Sequence, residues 1–339
     1  MGSDADRELL LPVSHRSSLE GIVDQAVRAE SLGYERLSMG ETTGWNQVAT
    51  LAILARETDR IGLADDVLSP YARSPVLLGQ TAATLAEASG GRFRLGLGTS
   101  SPALVEGWHG ATFDRPLRRL RETIDIVRLV LSGERVAYDG QLFSLDGLRP
   151  TCEMPDSPVP IDVAALGPKT VELAGRFADG WVPQLLTPDG VKNRLSDLER
   201  GAALGDRDPS DVRVTLTVRA CAHEDGDRAR EIARRSVGFL IGAYGPYYRQ
   251  SIASQGYAEA ADRLHETWRE HHDPGRLAAA VPDDLLADVA ITGTPEEARE
   301  QLAAFETIDG VDAVRVGFFR DQPVENMYET MAVLAPRSA

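Results

Sequence analysis

Two aspartates, Asp65 and Asp66, close a short apolar run that begins at Ile61-Gly62-Leu63, and a later run ends in Gly96-Leu97-Gly98-Thr99-Ser100-Ser101. Carboxylates at the end of a buried strand can hold a ligand or move a proton. Small and hydroxylated residues there either let a ligand approach the backbone or cap the next helix, and both readings stay open. Glu41, after Gly40, is a candidate proton donor or ligand partner, with a solvated surface acid as the alternative. Gly167-Pro168-Lys169-Thr170 opens a helix with no acid before Glu172, so its free amides suit a phosphate better than Thr294-Pro295-Glu296-Glu297, whose own carboxylates fill that role. Lys169 is one of only two lysines among 36 basic residues, which favours the phosphate reading over plain capping. Tyr244, Tyr247 and Tyr248 with Phe239 either cover a substrate or pack among themselves. His271-His272 reads as an exposed helix end, and Cys152 and Cys221 show no CxxC spacing, so no metal site is expected.

These residues need elements to position them. Apolar runs at Glu8–Val13, Tyr34–Met39, Ile61–Leu63, Arg92–Gly98, Pro158–Ala165, Asp179–Pro183, Val212–Ala222, Leu286–Ile291 and Val311–Phe319 read as strands. Between them lie helical patterns, such as Ile22, Val23, Ala26 and Ala29 after a Ser17 or Ser18 cap, and Leu117, Leu120, Ile124, Val127 and Leu131. A small hairpin is expected around Asp139-Gly140. Strand–helix–strand units require crossovers and parallel strands. About eight such units predict an α/β fold, a TIM (β/α)8 barrel, as one domain over 1–339 with a helical insertion at about 239–285. The rival, an open dinucleotide-binding sheet, wants GxGxxG after its first strand, and none occurs there. In a barrel the reactive positions lie just past each strand: Ser14 and His15, Gly40 and Glu41, Asp65 and Asp66, Thr99 to Ser101, Leu166 to Lys169, then Trp181 and Gln184.

The net charge of −16 argues against nucleic acid and anionic membranes as partners. No apolar run reaches membrane-spanning length and no secretory signal is visible, so a cytoplasmic location is expected. Acid-rich, lysine-poor composition suggests a halophilic source.

Pro70-Tyr71-x-Arg73-Ser74-Pro75, Thr84-Leu85-Ala86-Glu87-x-Ser89-Gly90-Gly91-Arg92 and Gly96-Leu97-Gly98 resemble the bacterial-luciferase-like superfamily, and within it the coenzyme F420-dependent oxidoreductases, including methylenetetrahydromethanopterin reductases. The likeness continues through Ala164-Ala165-Leu166-Gly167-Pro168, Ala178-Asp179-Gly180 and Gly293-Thr294-Pro295-Glu296-Glu297. The resemblance implies a barrel whose insertions cover the active site and a flavin or deazaflavin at its C-terminal mouth. It implies a non-prolyl cis peptide at Asp66-Val67, phosphate contacts at Leu166-Gly167-Pro168 and near Gly180, and a place beside the cofactor for Glu41; Gly40, Asp66, Val67, Thr99, Ser100 and Lys169 complete the candidate cofactor-binding set. Positions where those reductases carry acids fall on Pro12 and Ser101. The implied activity is hydride transfer between F420 and a small organic substrate, such as a methylene-tetrahydropterin or folate one-carbon carrier, with Glu41 and Ser101 as candidate catalytic residues. The alternatives are an FMN-dependent monooxygenase and a flavin-binding protein without catalysis. A homo-oligomer, dimer or larger, is expected.

Overall fold

The computed structural model describes residues 5–12 and 18–336, so Ser14 and His15 lie outside the described residues. The strands are β1 Asp6–Leu11, β2 Arg36–Met39, β3 Gly62–Asp65, β4 Phe93–Leu97, β5 Val136–Asp139, β6 Ser144–Leu148, β7 Ile161–Ala164, β8 Gly180–Val182, β9 Arg213–Ala222, β10 Ala290–Gly293 and β11 Ala313–Gly317. The helices are α1 Leu19–Ser31, α2 Gln47–Glu57, α3 Pro75–Ala88, α4 Pro102–Gly107, α5 Pro116–Leu131, α6 Pro168–Phe177, α7 Pro188–Leu204, α8 Gly226–Gly242, α9 Pro246–Ile252, α10 Ala258–His271, α11 Pro274–Ala279, α12 Asp283–Val289, α13 Pro295–Glu306 and α14 Val324–Val333.

Eight parallel strands close on themselves in the order β1-β2-β3-β4-β7-β8-β9-β11. The closing seams are Gly180 opposite Arg213 and Asp6 opposite Ala313. This is the expected TIM barrel. The β5–β6 hairpin stands outside it as an antiparallel pair, and β10 adds to the far half of β9 through Ala290 opposite Arg219. Among the described residues, no helix is long and apolar enough to cross a membrane.

Alternation along each strand divides the barrel into two chemistries. Leu9, Leu11, Leu37, Leu63, Leu95, Leu97, Ile161, Val163, Val214, Leu216, Val314 and Val316 face outward and share one core with the inner stripes of the surrounding helices, such as Ile22, Ala26 and Ala29 of α1. The intervening positions carry charges into the lumen. Arg315 Nε and Nη2 donate to Glu8 Oε2 at 3.0 and 2.8 Å, and Arg36 Nη1 donates to Glu8 Oε1 at 2.6 Å. Arg213 reaches Glu8 at 3.4 Å although β11 lies between their strands, which only a path through the lumen allows. Arg94 holds Asp162 through two hydrogen bonds of 2.8 and 2.5 Å.

Two expectations are corrected. The first strand runs from Asp6 to Leu11, shifted from Glu8–Val13. The strand expected over Leu286–Ile291 is helix α12 as far as Val289, and β10 starts at Ala290. Leu285, Leu286 and Val289 bury one helical face, a spacing that a short apolar run cannot distinguish from a strand. Helices α8 to α12 fill the interval between β9 and β10 and pack a cluster that includes Ala233, Val237, Ile241, Leu264, Leu277 and Leu285.

Burial alone would raise the Glu8 pKa, but Arg315, Arg36 and Arg213 together outweigh it and lower the carboxyl from 4.5 to about 2. Its contribution is therefore complete above about pH 4.5 and is lost as the pH falls towards 2. Glu8→Gln leaves buried guanidinium groups without their counter-charge and is expected to cost about 3–5 kcal/mol at neutral pH. Urea titrations at pH 7 and pH 3 measure this, and a variant as stable as wild type at pH 7 contradicts the assignment.

Candidate active site

The C-terminal ends of the barrel strands converge on one mouth. Next to β2, Glu41 forms a bidentate pair with Arg73, whose Nη1 and Nη2 donate at 2.5 and 2.6 Å; both side chains are largely buried. Glu41's hydrogen bonds raise the Arg73 pKa, so the guanidinium is firmly charged. Both Glu41 carboxylate oxygens are thus engaged by charge-assisted hydrogen bonds. Arg73 was visible in sequence only as part of Pro70-Tyr71-x-Arg73-Ser74-Pro75, and nothing in the spacing linked it to Glu41.

The two aspartates after β3 divide their work. Asp65 is buried, and its Oδ1 accepts from the Gly96 amide at 2.9 Å while Oδ2 has no partner. Burial pushes its pKa well above the usual carboxylate range, and Asp162 and Asp66 add to the effect against the Gly96 amide. Asp65 thus clips β3 to β4 through the Gly96 amide, with burial favouring its uncharged form. Asp66 places Oδ2 at 3.3 Å from Arg315 Nη1, joining the mouth to the lumen. The Asp66–Val67 peptide bond is cis, at the position the resemblance implied. Behind it Leu68 donates to the Gly96 carbonyl at 2.9 Å, and Gly98 donates to Leu68 at 3.2 Å. A methyl on Gly96 would overlap the Asp65 carbonyl oxygen, and one on Gly98 would overlap a Val67 methyl. The glycines therefore serve close approach of backbone to backbone.

Thr99 and Ser100 follow β4 at the rim, and Ser100 has φ of +61°. Ser101 stands at the N-cap of α4 without a capping bond, and its buried Oγ lies beside Tyr244. Across the mouth, α6 starts at Gly167-Pro168. Helices α3, α7 and α13 also begin with proline, but Ser74, Thr187 and Thr294 cap them through their side chains. Gly167 has no side chain to offer; Pro168 has no N–H and the Thr170 amide donates to the Gly167 carbonyl at 3.1 Å, so the amides without a side-chain cap are those of Gly167 and Lys169. The Leu166 carbonyl accepts from Arg194 Nε at 3.0 Å. Lys169 is 74% exposed and pairs with Glu172 at 3.2 Å, so its charge is solvated and partly answered.

Gly180 is not brought to this group. It begins β8 opposite Asp162, at the N-terminal end of the strand, where a Cβ would collide with the Asp162 carboxylate. Its small size makes room for the Arg94–Asp162 pair. At the mouth end of the same strand stands Gln184, whose Nε2 donates to Tyr248 Oη at 2.5 Å. Burial pushes Tyr248 up to about 12. Tyr244 and Tyr248 are 5.8 Å apart by ring centroids, and Tyr244 is 6.2 Å from Phe239. Burial raises the Tyr244 phenol and the Ser101 hydroxyl pulls it part of the way back. The segment between α8 and α9 thus extends over the mouth and also packs on itself. Tyr71, stacked on Phe113 at 5.3 Å, and the exposed Trp108 continue the aromatic rim.

A cavity of about 440 Å³ opens at the opposite end of the barrel, lined by Arg94, Arg128, Asp179, Arg213 and Asp312. Its arginines are already paired, Arg94 with Asp162, Arg128 with Asp179 and Arg213 with Asp6. The groups left open for a ligand are those of the mouth. Cys221 is buried, bonded to Asn326 and raised by burial to about 12, which makes it an inert thiol.

The profile of the luciferase-like monooxygenase family matches residues 7–312. The chain is 29% identical over 259 residues to a 5,10-methylenetetrahydromethanopterin reductase of Archaeoglobus fulgidus, covering 76% of this chain and 77% of the other. It is 32% identical over 307 residues to an F420-dependent glucose-6-phosphate dehydrogenase of Microbacterium testaceum, covering 84% and 83%. The fold superposes with a TM-score of 0.84, at 21% identity and 98% coverage of both chains, on the coenzyme F420-dependent tetrahydromethanopterin reductase of Methanopyrus kandleri.

Gly96 of β4 and Gly98 just past it should respond differently to a methyl group. Gly96→Ala meets the Asp65 backbone and is expected to cost about 1–3 kcal/mol, whereas Gly98→Ala meets one Val67 methyl, which a change of that side chain's rotamer relieves, and should cost less. Chemical denaturation of both variants checks this, and equal losses contradict it.

Proposed function

The chain belongs to the luciferase-like monooxygenase family, and from that premise we propose that it is a coenzyme F420-dependent oxidoreductase acting on a small organic substrate. The observation that carries this reading is the backbone seat at the mouth: the segment Asp66–Leu68, braced by Gly96 and Gly98, at the same end of the barrel as the uncapped start of α6. A planar ring fits against the first, and a phosphate fits the open amides of the second. When bound, the deazaflavin would supply the hydride.

The protein's own residues would do the rest. Gly40 and Glu41, with Asp66, Val67, Thr99 and Ser100, would border the ring, and Leu166, Gly167, Pro168 and Lys169 would hold the phosphate. The Glu41–Arg73 pair supports a role for Glu41 in binding and orienting rather than in giving up a proton. Ser101, with its buried hydroxyl beside Tyr244, is the better-placed proton-handling group. A one-carbon pterin or folate carrier is the finer reading, supported by the reductase relatives. The acids found in such reductases are absent at Pro12 and Ser101. The family's description as a monooxygenase favours FMN as the second reading.

Titration of F420 and FMN against the purified protein, followed by fluorescence quenching, separates the two. Quenching by F420 with weak or no FMN binding is expected, and the reverse sinks the proposal. Lys169→Glu adds an anion beside the open amides and should weaken F420 binding by roughly tenfold or less, given its exposure. Glu41→Gln should weaken binding more than it changes turnover of bound enzyme.

A further inference from the structure

Five arginines project from the strands into the barrel lumen, and four of them have carboxylates. Arg36 and Arg315 hold Glu8, Arg94 holds Asp162, and Arg213 reaches Asp6 and Glu8. The fifth is Arg219, which stands at the mouth end of β9, opposite Gly317 of β11. Its Cγ lies 3.6 Å from where a Gly317 Cβ would be, beside Leu10. Nη1 donates to the Phe318 carbonyl at 2.5 Å, and among the described residues no carboxylate forms an ion pair with it. Burial presses its pKa down, and the nearby Tyr248, Asp66 and Tyr244 only partly offset this.

The surroundings of Arg219 are also unfinished. Thr217, two residues earlier on the same face of β9, is 3% exposed, and its Oγ1 has no hydrogen-bond partner. Tyr248 accepts from Gln184, which leaves its own hydroxyl proton to be given elsewhere. A part-buried guanidinium, a buried hydroxyl and a phenol proton therefore line the mouth half of β9: Thr217 lies two residues below Arg219, opposite Gln184, which holds Tyr248. Every other lumenal arginine shows what this set lacks, which is a carboxylate. A planar guanidinium fork matches a planar carboxylate through two hydrogen bonds.

We propose that Arg219 anchors a carboxylate carried by the substrate, with Thr217 and Tyr248 completing its hydrogen bonds and the aromatic rim holding the substrate's apolar body. This names the substrate class for the site assigned above and rests on that reading only in taking the mouth as the substrate site.

Calorimetric titration of the cofactor-free protein with benzoate, benzamide and inorganic phosphate tests it. Benzoate should bind about tenfold or more tightly than benzamide, because a charge-assisted pair is replaced by a neutral contact. Arg219→Gln should erase that preference, Arg219→Lys should keep part of it, and Thr217→Val should weaken benzoate alone. Circular dichroism and melting temperature verify that each variant is folded, and should Arg219→Gln fail, the lysine and Thr217 variants carry the reading. Benzoate binding no better than benzamide, or not at all, overturns the proposal, as does unchanged benzoate affinity in folded Arg219→Gln. Phosphate that binds more tightly than benzoate and loses that binding in Arg219→Gln overturns the carboxylate assignment; phosphate binding that survives Arg219→Gln belongs to the start of α6 and leaves the benzoate comparison standing. F420 titration of Arg219→Gln should give wild-type affinity, and a parallel loss there assigns Arg219 to the cofactor instead. Failure of F420 to bind the wild type bears on the cofactor reading and leaves the benzoate comparison intact.

Discussion

One buried carboxylate, Glu8, holds the centre of the barrel. It takes hydrogen bonds from arginines on β2, β9 and β11 while itself standing on β1. The first and last strands of a closed sheet must find each other across the whole length of the chain, and Glu8 with Arg315 bridges that seam. Such a pair is a poor source of stability by itself, because desolvating the ions costs nearly as much as their attraction returns. What it supplies is a directional requirement. Apolar side chains could fill the lumen in several registers, whereas a carboxylate with three guanidinium groups is satisfied in few.

The mouth inherits its geometry from this lumen. Arg315 faces Glu8 on one side and Asp66 on the other, so the residue preceding the cis bond is tied to the same network that closes the barrel. Glu41 and Arg73 repeat the device at the rim, joining the ends of β2 and the β3–α3 connection. Rigid ionic positioning beneath a backbone seat suits a site that must hold a flat ring against a second reactant.

Much of the fold was legible in the sequence because its signals are local. The helix cap at Ser18 and the helix start at Thr294, with apolar residues at helical spacing, need no distant partner to be read. The charged lumen was not legible for the opposite reason. Arg36, Arg94, Arg213 and Arg315 each sit in a short apolar run, and a single arginine there reads as solvated; their partners lie far away in the chain. The site divides the same way. Gly96, Gly98, Asp66 and Gly167 follow from strand ends and a helix start, whereas the Glu41–Arg73 pair and the isolation of Arg219 exist only once the barrel closes. Gly180 was drawn to the mouth by family likeness, although the register of β8 sets it at the other end.

The roof over the mouth rests on helices with their own apolar cluster, distinct from the core that joins barrel to outer helices. Only a short connector, from Ala243 to the first turn of α9, presents Tyr244 and Tyr248 to the strand ends. The chain therefore keeps two ledgers of sequence change. If the mouth is the substrate site proposed above, substitutions on the connector would alter which molecules are admitted without touching the residues that close the barrel or form the backbone seat, so selectivity could diverge while the scaffold stays the same.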